Sequence, residues 1–331
     1  MKNQLLRSLL SFAILSAVTV CTLRAQNNPA TGAAPGGAAR GGFGRGGFGR
    51  GGFNRGPQVP PGPPAPVPPQ VTMLRPSSNE VARMNVELKK FIETSPAKEL
   101  LQKYEPLVMV QVPRDNPCIR PHPSARGGRH QGFADFAKTN EFDILFDGDS
   151  ITDLWNVEQD PFGNPGGKNV FKKYFSDVKV ANFGVSGDTT QGVLWGLQNG
   201  EGQGHKPKAV MLMIGTNNSG TYTAPEIAEG VGAVVLEMRK DFPNAKILLL
   251  AIFPRSVPGD PVRDKIAEVN RIISKLDDQQ HVFFMDIGAN FLGADGFFLP
   301  DAFRADNLHP QAKGYDIWGT AVQAKLAELM K

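Results

Sequence analysis

A serine, a histidine and an aspartate in the second half of the chain are placed so that they could perform nucleophilic catalysis. Ser150 follows the apolar stretch 142–146 and a break at Gly148, where a strand of an open parallel sheet would present a reacting group. A serine hydroxyl is a weak nucleophile at neutral pH unless an imidazole takes its proton and a third group orients that imidazole. His309 and Asp306, three residues apart, could supply these two functions.

Alternating strand and helix patterns would position these residues. Short continuous apolar strands separated by amphipathic helices predict a parallel sheet covered on both faces, with right-handed crossovers. We therefore predict an α/β fold, a flavodoxin-like three-layer α/β/α sandwich with a five-stranded parallel sheet. The predicted strands are 142–147, 178–183, 208–214, 246–252 and 282–286, and the predicted helices are 167–175, 189–198, 224–240, 262–277 and 311–329.

Four segments lie where such a fold collects reactive residues. They are 148–150, 182–188 and 215–218, each after a predicted strand, and 306–309 before the last helix. Each segment alone is typical of ordinary turns, but their order and placement together are specific. The combination resembles the SGNH hydrolases, also called the GDSL esterase/lipase family, over the predicted hydrolase domain 128–331.

The second block of this pattern narrows the resemblance within the family. The run 182–191, followed by 193–195 and 199–201, is similar to the catalytic subunits of platelet-activating-factor acetylhydrolase Ib and to related bacterial secreted acyl esterases. Ile151 departs from the family pattern, because it replaces the leucine of GDSL. Thr152 replaces the last glycine of the Gly-x-Ser-x-Gly elbow of α/β-hydrolases, which favours the SGNH interpretation.

The resemblance implies a role for each matching residue. Ser150 would be the nucleophile, His309 the general base and then acid, and Asp306 the orienting carboxylate. The oxyanion hole would consist of the backbone N–H groups of Ser150 and Gly187 and the side-chain amide of Asn217. Gly184, in the same block as Gly187, is the alternative donor and is more typical of a turn glycine.

Other residues near the strand ends could contact a substrate, although each has a structural alternative. Asp149 and Asp188 could tune the site or only cap turns, and Arg255 could reach a substrate or cap the sheet edge. Several aromatic side chains could line an acyl pocket or belong to the core. These are Trp155, Trp195 and the run 297–299.

The first 70 residues differ in composition from the rest of the chain. Basic residues precede the apolar run 9–20 and Ala25 could be the cleavage residue, so 1–25 is predicted to be a signal peptide of an exported protein. A lipid anchor at Cys21 is the alternative, against which the bulky preceding valine argues. Residues 26–70 contain three Arg-Gly-Gly-Phe repeats and eight prolines within 57–69, which predicts a disordered tether that could attach the protein to a surface.

Residues 71–127 read as a helical N-terminal extension before the hydrolase domain. A helix is predicted from Ser78 to about Thr94, and another within 127–139. The apolar run 107–112 could be a strand or an extended segment.

Charge and composition limit the other classes of function. The 331 residues carry a net charge of +4, but three basic residues lie in the leader and four in the acid-free tether, so the charge from Val71 onward is −3. This does not favour a nucleic-acid partner, although the Arg-Gly-Gly repeats are also typical of RNA-binding segments. Neither a metal nor a cofactor is predicted, because His122, His130, His205 and His281 are scattered and no phosphate-binding glycine loop precedes a lysine.

The resemblance implies an exported carboxylic-ester hydrolase that works through an acyl-enzyme. The expected substrate is a short acyl ester, above all an acetyl ester, on a polysaccharide or a small molecule. A phospholipid acetylhydrolase or lysophospholipase is the enzymatic alternative, and a non-catalytic carbohydrate- or surface-binding protein is the alternative of another class. Cys118 could be a reactive thiol but is more typical of a buried structural cysteine.

Overall fold

The computed structural model describes residues 59–111, 115–160 and 163–331. These belong to two compact units, one that includes Arg75–Arg114 and one formed by Pro57–Leu74 and Asp115–Lys331. The predicted signal peptide lies outside the described residues. Among the helices of the described segments, none is both long and apolar enough to span a membrane.

The unit that includes Arg75–Arg114 is helical where it is described. Helix α1 spans Ser78–Thr94, as predicted, and a capping box between Ser77 and Glu80 begins it; α2 (Lys98–Lys103) and α3 (Glu105–Val108) follow. The run 107–112 was predicted as a strand or an extended segment, and its first two residues belong to α3 instead. Pro106 favours this helix because proline is well suited to a first helical turn.

The larger unit is built on a parallel sheet of five strands. Strands β1 (Ile144–Gly148), β2 (Val180–Asn182), β3 (Ala209–Met213), β4 (Lys246–Leu250) and β5 (Val282–Met285) pair in the order β2-β1-β3-β4-β5. Every pairing is parallel. This is the flavodoxin-like order, so the predicted fold class is confirmed.

Helices cover both faces of the sheet. Alternate strand residues divide between two apolar clusters: Leu145 joins one and its neighbours Ile144 and Phe146 join the other. The first cluster includes side chains of α4, α7, α8 and α9, and the second includes side chains of α6 and α10. The helices of this unit are α4 (His130–Thr139), α5 (Ser150–Asp153), α6 (Lys168–Phe175), α7 (Thr190–Gly196), α8 (Ala224–Asp241), α9 (Pro261–Ile273) and α10 (Ala312–Leu329).

The sheet order determines where a site can form. The chain reverses its direction of travel across the sheet between the neighbouring strands β1 and β3, and α5 begins two residues beyond the end of β1. In open α/β sheets a crevice opens at this topological switch point, beyond the carboxyl ends of the strands. Ser150 is the first residue of α5 and therefore stands at that crevice.

Two predicted boundaries are wrong in part. Residues 59–70, predicted as disordered tether, follow a defined path on the larger unit: Ala65 donates its N–H to Ile119 O at 2.8 Å, and its side chain is buried. Residues 115–127, predicted as part of the extension, belong to the same unit. The proline-rich composition suggested that this segment could not offset the entropy lost on ordering. Backbone hydrogen bonds to residues distant in sequence offset that loss. The predicted tether segment 26–58 lies outside the described residues.

Candidate active site

Ser150 is fixed by the turn that leads from β1 into α5. The side chain of Asp149 caps this short helix by accepting the N–H of Ile151 at 3.0 Å. The turn also needs glycine at position 148, because a Cβ there would lie 2.3 Å from the carbonyl oxygen of Met213 on β3. Ser150 itself is only 8% exposed.

The loop before α10 places His309 against this hydroxyl. Ser150 Oγ lies 2.9 Å from His309 Nε2, and His309 Nδ1 lies 2.7 Å from Asp306 Oδ2. The other oxygen of Asp306 accepts the backbone N–H groups of Leu308 at 2.9 Å and His309 at 3.0 Å. Partial burial acts to raise the pKa of Asp306, but these hydrogen bonds outweigh it and hold that pKa below its usual value.

Contacts on several sides anchor the loop that carries His309. Arg304 forms an ion pair with the buried carboxylate of Asp160 at 2.6 Å, and Ser256 donates its N–H to Asn307 O at 2.8 Å. Tyr315, at the start of α10, donates its hydroxyl to the carbonyl of Ile151 at 2.9 Å. The histidine loop is therefore tied to the strand-end loops around it and to α5.

Donors for a developing oxyanion follow the ends of three adjacent strands, β2, β1 and β3. Within the described residues, the backbone N–H groups of Ser150 and Gly187 have no acceptor. Asn217 donates one hydrogen of its amide to Asp188 O at 2.7 Å, which fixes the direction of its other hydrogen. Gly184, the alternative donor, already donates its N–H to Asn182 Oδ1 at 2.9 Å. The N–H of Gly187 therefore remains available for an oxyanion, and the N–H of Gly184 does not.

The four predicted substrate-binding residues have different environments. Trp155 is fully buried and packs between Tyr315 and Trp318, with ring centroids 4.5 and 5.1 Å away, so of its two alternatives it belongs to the core and does not contact a substrate. Asp149 and Asp188 are also buried, which makes them supports of the turn rather than contacts for a substrate.

The remaining candidates lie nearer the surface. Arg255 is half-buried and donates Nη1 to Thr216 O at 3.0 Å, next to Asn217, so it braces that loop. Phe297 is exposed, and Phe298 stacks on Phe303 at 3.9 Å between ring centroids. The ring of Trp195 packs edge-on against His130, 4.5 Å away.

The carboxyl group of Asp149 should make the stability of the protein depend on pH. Its Oδ2 has no partner among the described residues, and burial raises its pKa to about 7, only partly opposed by the hydrogen bond from Ile151 and by the charge of Arg255. Because this pKa exceeds the unfolded value, the folded state holds the proton more tightly. The resulting stabilisation is complete at low pH and is lost as the pH rises toward 7.

We therefore expect Asp149→Asn to gain stability relative to the wild type as the pH rises. The difference in free energy of unfolding should grow by about 2 to 3 kcal/mol between pH 5 and pH 7.5. Urea unfolding at the two pH values measures it. Asp295→Asn is the control, because Asp295 caps an exposed turn in the same way and accepts the N–H of Phe297. A difference for Asp149→Asn that is constant with pH would contradict this assignment.

Sequence reasoning missed several polar residues around the site. Arg126 is fully buried and binds three carboxylates, two of which, Asp147 and Glu201, had no predicted role. Tyr315 was also missed. A usable signal was the pair Gly192 and Gly196, four residues apart on α7, since glycine inside a helix often marks close approach of other atoms.

The histidines outside the site have separate environments. His130 Nδ1 lies 2.8 Å from Glu201 Oε1, and His281 Nδ1 lies 3.7 Å from Asp278 Oδ2. Burial lowers the pKa of His205, whose ring packs on Phe142. In the described segments, no three side chains of histidine, cysteine, aspartate or glutamate are grouped so that they could hold a metal ion.

Comparison with known proteins places this geometry in a family. The model of the GDSL-like lipase/acylhydrolase family matches residues 146–317. Platelet-activating factor acetylhydrolase IB subunit alpha2 of Rattus norvegicus is 36% identical over 189 residues, which cover 56% of this chain and 77% of that protein. The alpha1 subunit of Homo sapiens is 31% identical over 224 residues, which cover 65% of this chain and 92% of that protein.

A solved structure supports the fold. A protein from Streptococcus pneumonia, named after platelet activating factor, superimposes with a TM-score of 0.50 at 21% identity and covers 61% of this chain and 92% of that one. The family match and the similarity to the two acetylhydrolase subunits lead to one assignment: the chain belongs to the GDSL-like lipase/acylhydrolase family of SGNH hydrolases and is a carboxylic-ester hydrolase.

Proposed function

We propose that the protein removes short acyl groups, above all acetyl, from an alcohol through a covalent acyl-enzyme on Ser150. The observation that carries this proposal is the continuous hydrogen-bonded line from Ser150 Oγ through the ring of His309 to Asp306, with distances of 2.9 and 2.7 Å. Both distances lie within the range needed for proton transfer and for orientation of the imidazole.

The mechanism follows from these atoms. His309 Nε2 takes the proton of Ser150 Oγ as this oxygen attacks the acyl carbon, and Asp306 stabilises the imidazolium that forms. The carbonyl oxygen becomes an oxyanion, which accepts hydrogen bonds from the N–H groups of Ser150 and Gly187 and from the amide of Asn217. The imidazolium then protonates the departing alcohol. Water, activated by the same imidazole, releases the acid and restores the serine.

Two observations favour a short acyl group. The similar mammalian proteins are named as acetylhydrolases. In addition, the full burial of Trp155 in the core removes one side chain that could have lined a deep acyl pocket.

We propose a polysaccharide as the alcohol and export as the route by which the protein reaches it. The predicted signal peptide at residues 1–25 supports export. An acetylated phospholipid is the second candidate, because the relatives carry the name of a phospholipid hydrolase. A non-catalytic binding role is disfavoured, since all five positions implied by the family pattern hold competent residues.

The reaction class can be tested by turnover and by labelling. The purified protein should hydrolyse p-nitrophenyl acetate and lose this activity on treatment with a fluorophosphonate, with the added mass located on Ser150 by peptide mass spectrometry. Absence of turnover, or inactivation with the label on another residue, would overturn the proposed mechanism.

A second experiment separates the two alcohols. Acetate release is measured from acetylated xylan and from an acetyl-phospholipid at equal ester concentration. We expect a higher kcat/KM on xylan, and a clear preference for the phospholipid would replace the first candidate by the second. Comparing p-nitrophenyl acetate with p-nitrophenyl octanoate tests acyl length, and faster cleavage of the octanoate would contradict a short-acyl enzyme.

A further inference from the structure

One guanidinium is completely buried among three carboxylates beside the candidate active site. Arg126 donates Nε to Asp188 Oδ2 at 2.8 Å, Nη2 to Asp147 Oδ1 at 2.6 Å and Nη1 to Glu201 Oε2 at 2.5 Å. All four side chains are fully buried. Charges removed from water in this way are costly unless each is paired with good geometry, so the arrangement needs an explanation beyond stability.

Asp188 connects this cluster to the proposed oxyanion donors. Its carboxylate is held on both oxygens, by Arg126 and by the N–H of Thr189 at 2.9 Å. Its backbone directly follows Gly187, and its carbonyl accepts the amide of Asn217 at 2.7 Å. A displacement of Asp188 would therefore move a backbone donor and a side-chain donor together.

Asp147 connects the same guanidinium to the nucleophile. Its Oδ1 accepts a hydrogen bond from Arg126 and another from the N–H of Gly148 at 2.8 Å, at the end of β1. Ser150 follows three residues after Asp147. Arg126 thus bridges the strand end that carries the proposed nucleophile and the loop that carries the proposed oxyanion donors.

Helix α7 leaves space for this bridge. A Cβ at Gly192 would lie 1.8 Å from Asp188 Oδ1, and a Cβ at Gly196 would lie 2.6 Å from the Cδ atom of Arg126. Two glycines four residues apart lie on the same face of a helix. Each lowers helical propensity by roughly 1 kcal/mol relative to alanine, so their presence indicates that close packing of the cluster outweighs that cost.

We propose that Arg126 is a positioning residue for ester hydrolysis: through Asp188 and Asp147 it fixes the N–H of Gly187 and the amide of Asn217 relative to Ser150. The inference rests on the proposed function, because it assigns the oxyanion donors that the function requires. Arg126 contacts no substrate. Its loss should therefore lower kcat, which depends on stabilisation of the transition state, more than it changes KM.

The test compares two replacements that remove one carboxylate each from the same cluster. The carboxylate of Asp188 accepts one hydrogen bond on each oxygen, from Arg126 and from the N–H of Thr189. The amide of Asp188→Asn has a single oxygen and can accept only one of these on its own oxygen atom, so the side chain must shift. In Glu201→Gln the amide oxygen can still accept from Arg126, and the NH₂ group can donate to His130 Nδ1, which lies 2.8 Å from Oε1. Glu201 has no contact with Gly187 or Asn217 among the hydrogen bonds of the described residues.

We expect Asp188→Asn to lower kcat for p-nitrophenyl acetate about 100-fold, with KM within about threefold of the wild type, because loss of one oxyanion donor typically has an effect of this size. Glu201→Gln should keep kcat within about threefold. The inhibition constant of butylboronic acid adds a readout that a purely structural role would not change. Its tetrahedral serine adduct places an oxygen in the oxyanion hole, so this constant should rise in parallel with the loss of kcat.

Wild-type turnover that depends on Ser150 decides the proposed function, whereas the comparison of variants decides this inference. Full kcat in Asp188→Asn would overturn the inference and leave the function intact. Equal losses in Asp188→Asn and Glu201→Gln, both without a change in boronate inhibition, would also overturn it, since they would report general destabilisation. Arg126→Lys, which keeps the charge but loses the fork of donors, should resemble Asp188→Asn if it folds.

Discussion

Replacement of Ser150 by alanine should reduce kcat/KM for p-nitrophenyl acetate by about 10⁴- to 10⁶-fold while the protein remains folded. The hydroxyl is the only group of Ser150 that is lost, and the backbone N–H that it would contribute to the oxyanion hole remains. The residual rate should therefore come from oxyanion stabilisation and binding alone. No acyl-enzyme should form, so the burst of p-nitrophenol that precedes steady turnover should also disappear.

Ser186→Ala is a suitable control for this prediction. Ser186 is an exposed serine next to Gly187, and its hydroxyl donates to Asp153 Oδ2 at 2.9 Å and not to a histidine. We expect its replacement to change kcat/KM by less than about fivefold, because a surface hydrogen bond contributes little. Comparable losses in both variants would mean that Ser150 acts through structure and not as a nucleophile.

Asp306→Asn should lower kcat by roughly 10⁴-fold with little change in the fold. The amide oxygen can still accept the two backbone N–H groups that Asp306 Oδ1 now binds, so the turn should persist. The NH₂ group would face His309 Nδ1, however, and favour the tautomer in which Nδ1 accepts and Nε2 carries the hydrogen. In that tautomer Nε2 donates to Ser150 Oγ and cannot take its proton.

The chain offers a matched control for this change. Asp278 and His281 have the same spacing as Asp306 and His309, and Asp278 Oδ1 likewise accepts the backbone N–H of His281, at 2.7 Å. Their side chains approach to 3.7 Å, at the start of β5. Asp278→Asn should leave kcat unchanged within about twofold. If it lowers kcat as much as Asp306→Asn, the effect does not arise from the histidine tautomer.

Local patterns predicted the sheet and the reacting groups well. Each strand is a short apolar run, and the alternation of such runs with amphipathic helices indicates a parallel sheet covered on both faces, so the fold class could be predicted without coordinates. The positions of Ser150, Asp306 and His309 then follow from the ends of these elements. The distances between these side chains do not follow, because Asp278 and His281 have the same sequence spacing, lie just before β5 and approach each other only to 3.7 Å.

Features that depend on contacts distant in sequence were not predictable. Arg126 binds carboxylates 21, 62 and 75 residues away, and no local pattern indicates that they converge. The burial of Trp155 depends on packing against α10, more than 150 residues later. Residues 59–70 were assigned by composition, yet Gly62 and Ala65 are held by backbone hydrogen bonds to Pro121 and Ile119.

The acid and the base of the candidate site, Asp306 and His309, lie in one turn, whereas the nucleophile lies far away in sequence. Asp306 and His309 are three residues apart and share two hydrogen bonds, and a third joins Asp306 to Leu308 in the same turn, whereas Ser150 is 159 residues away from His309. The carboxylate of Asp306 and the imidazole of His309 therefore keep their relative positions when the surrounding structure shifts. Strain or substitution elsewhere in the domain will alter the gap between serine and imidazole long before it alters the orientation of the imidazole. Accumulated substitutions in this enzyme should therefore first weaken proton abstraction from Ser150. The imidazole of His309 would still be oriented by Asp306 but would no longer reach the serine hydroxyl.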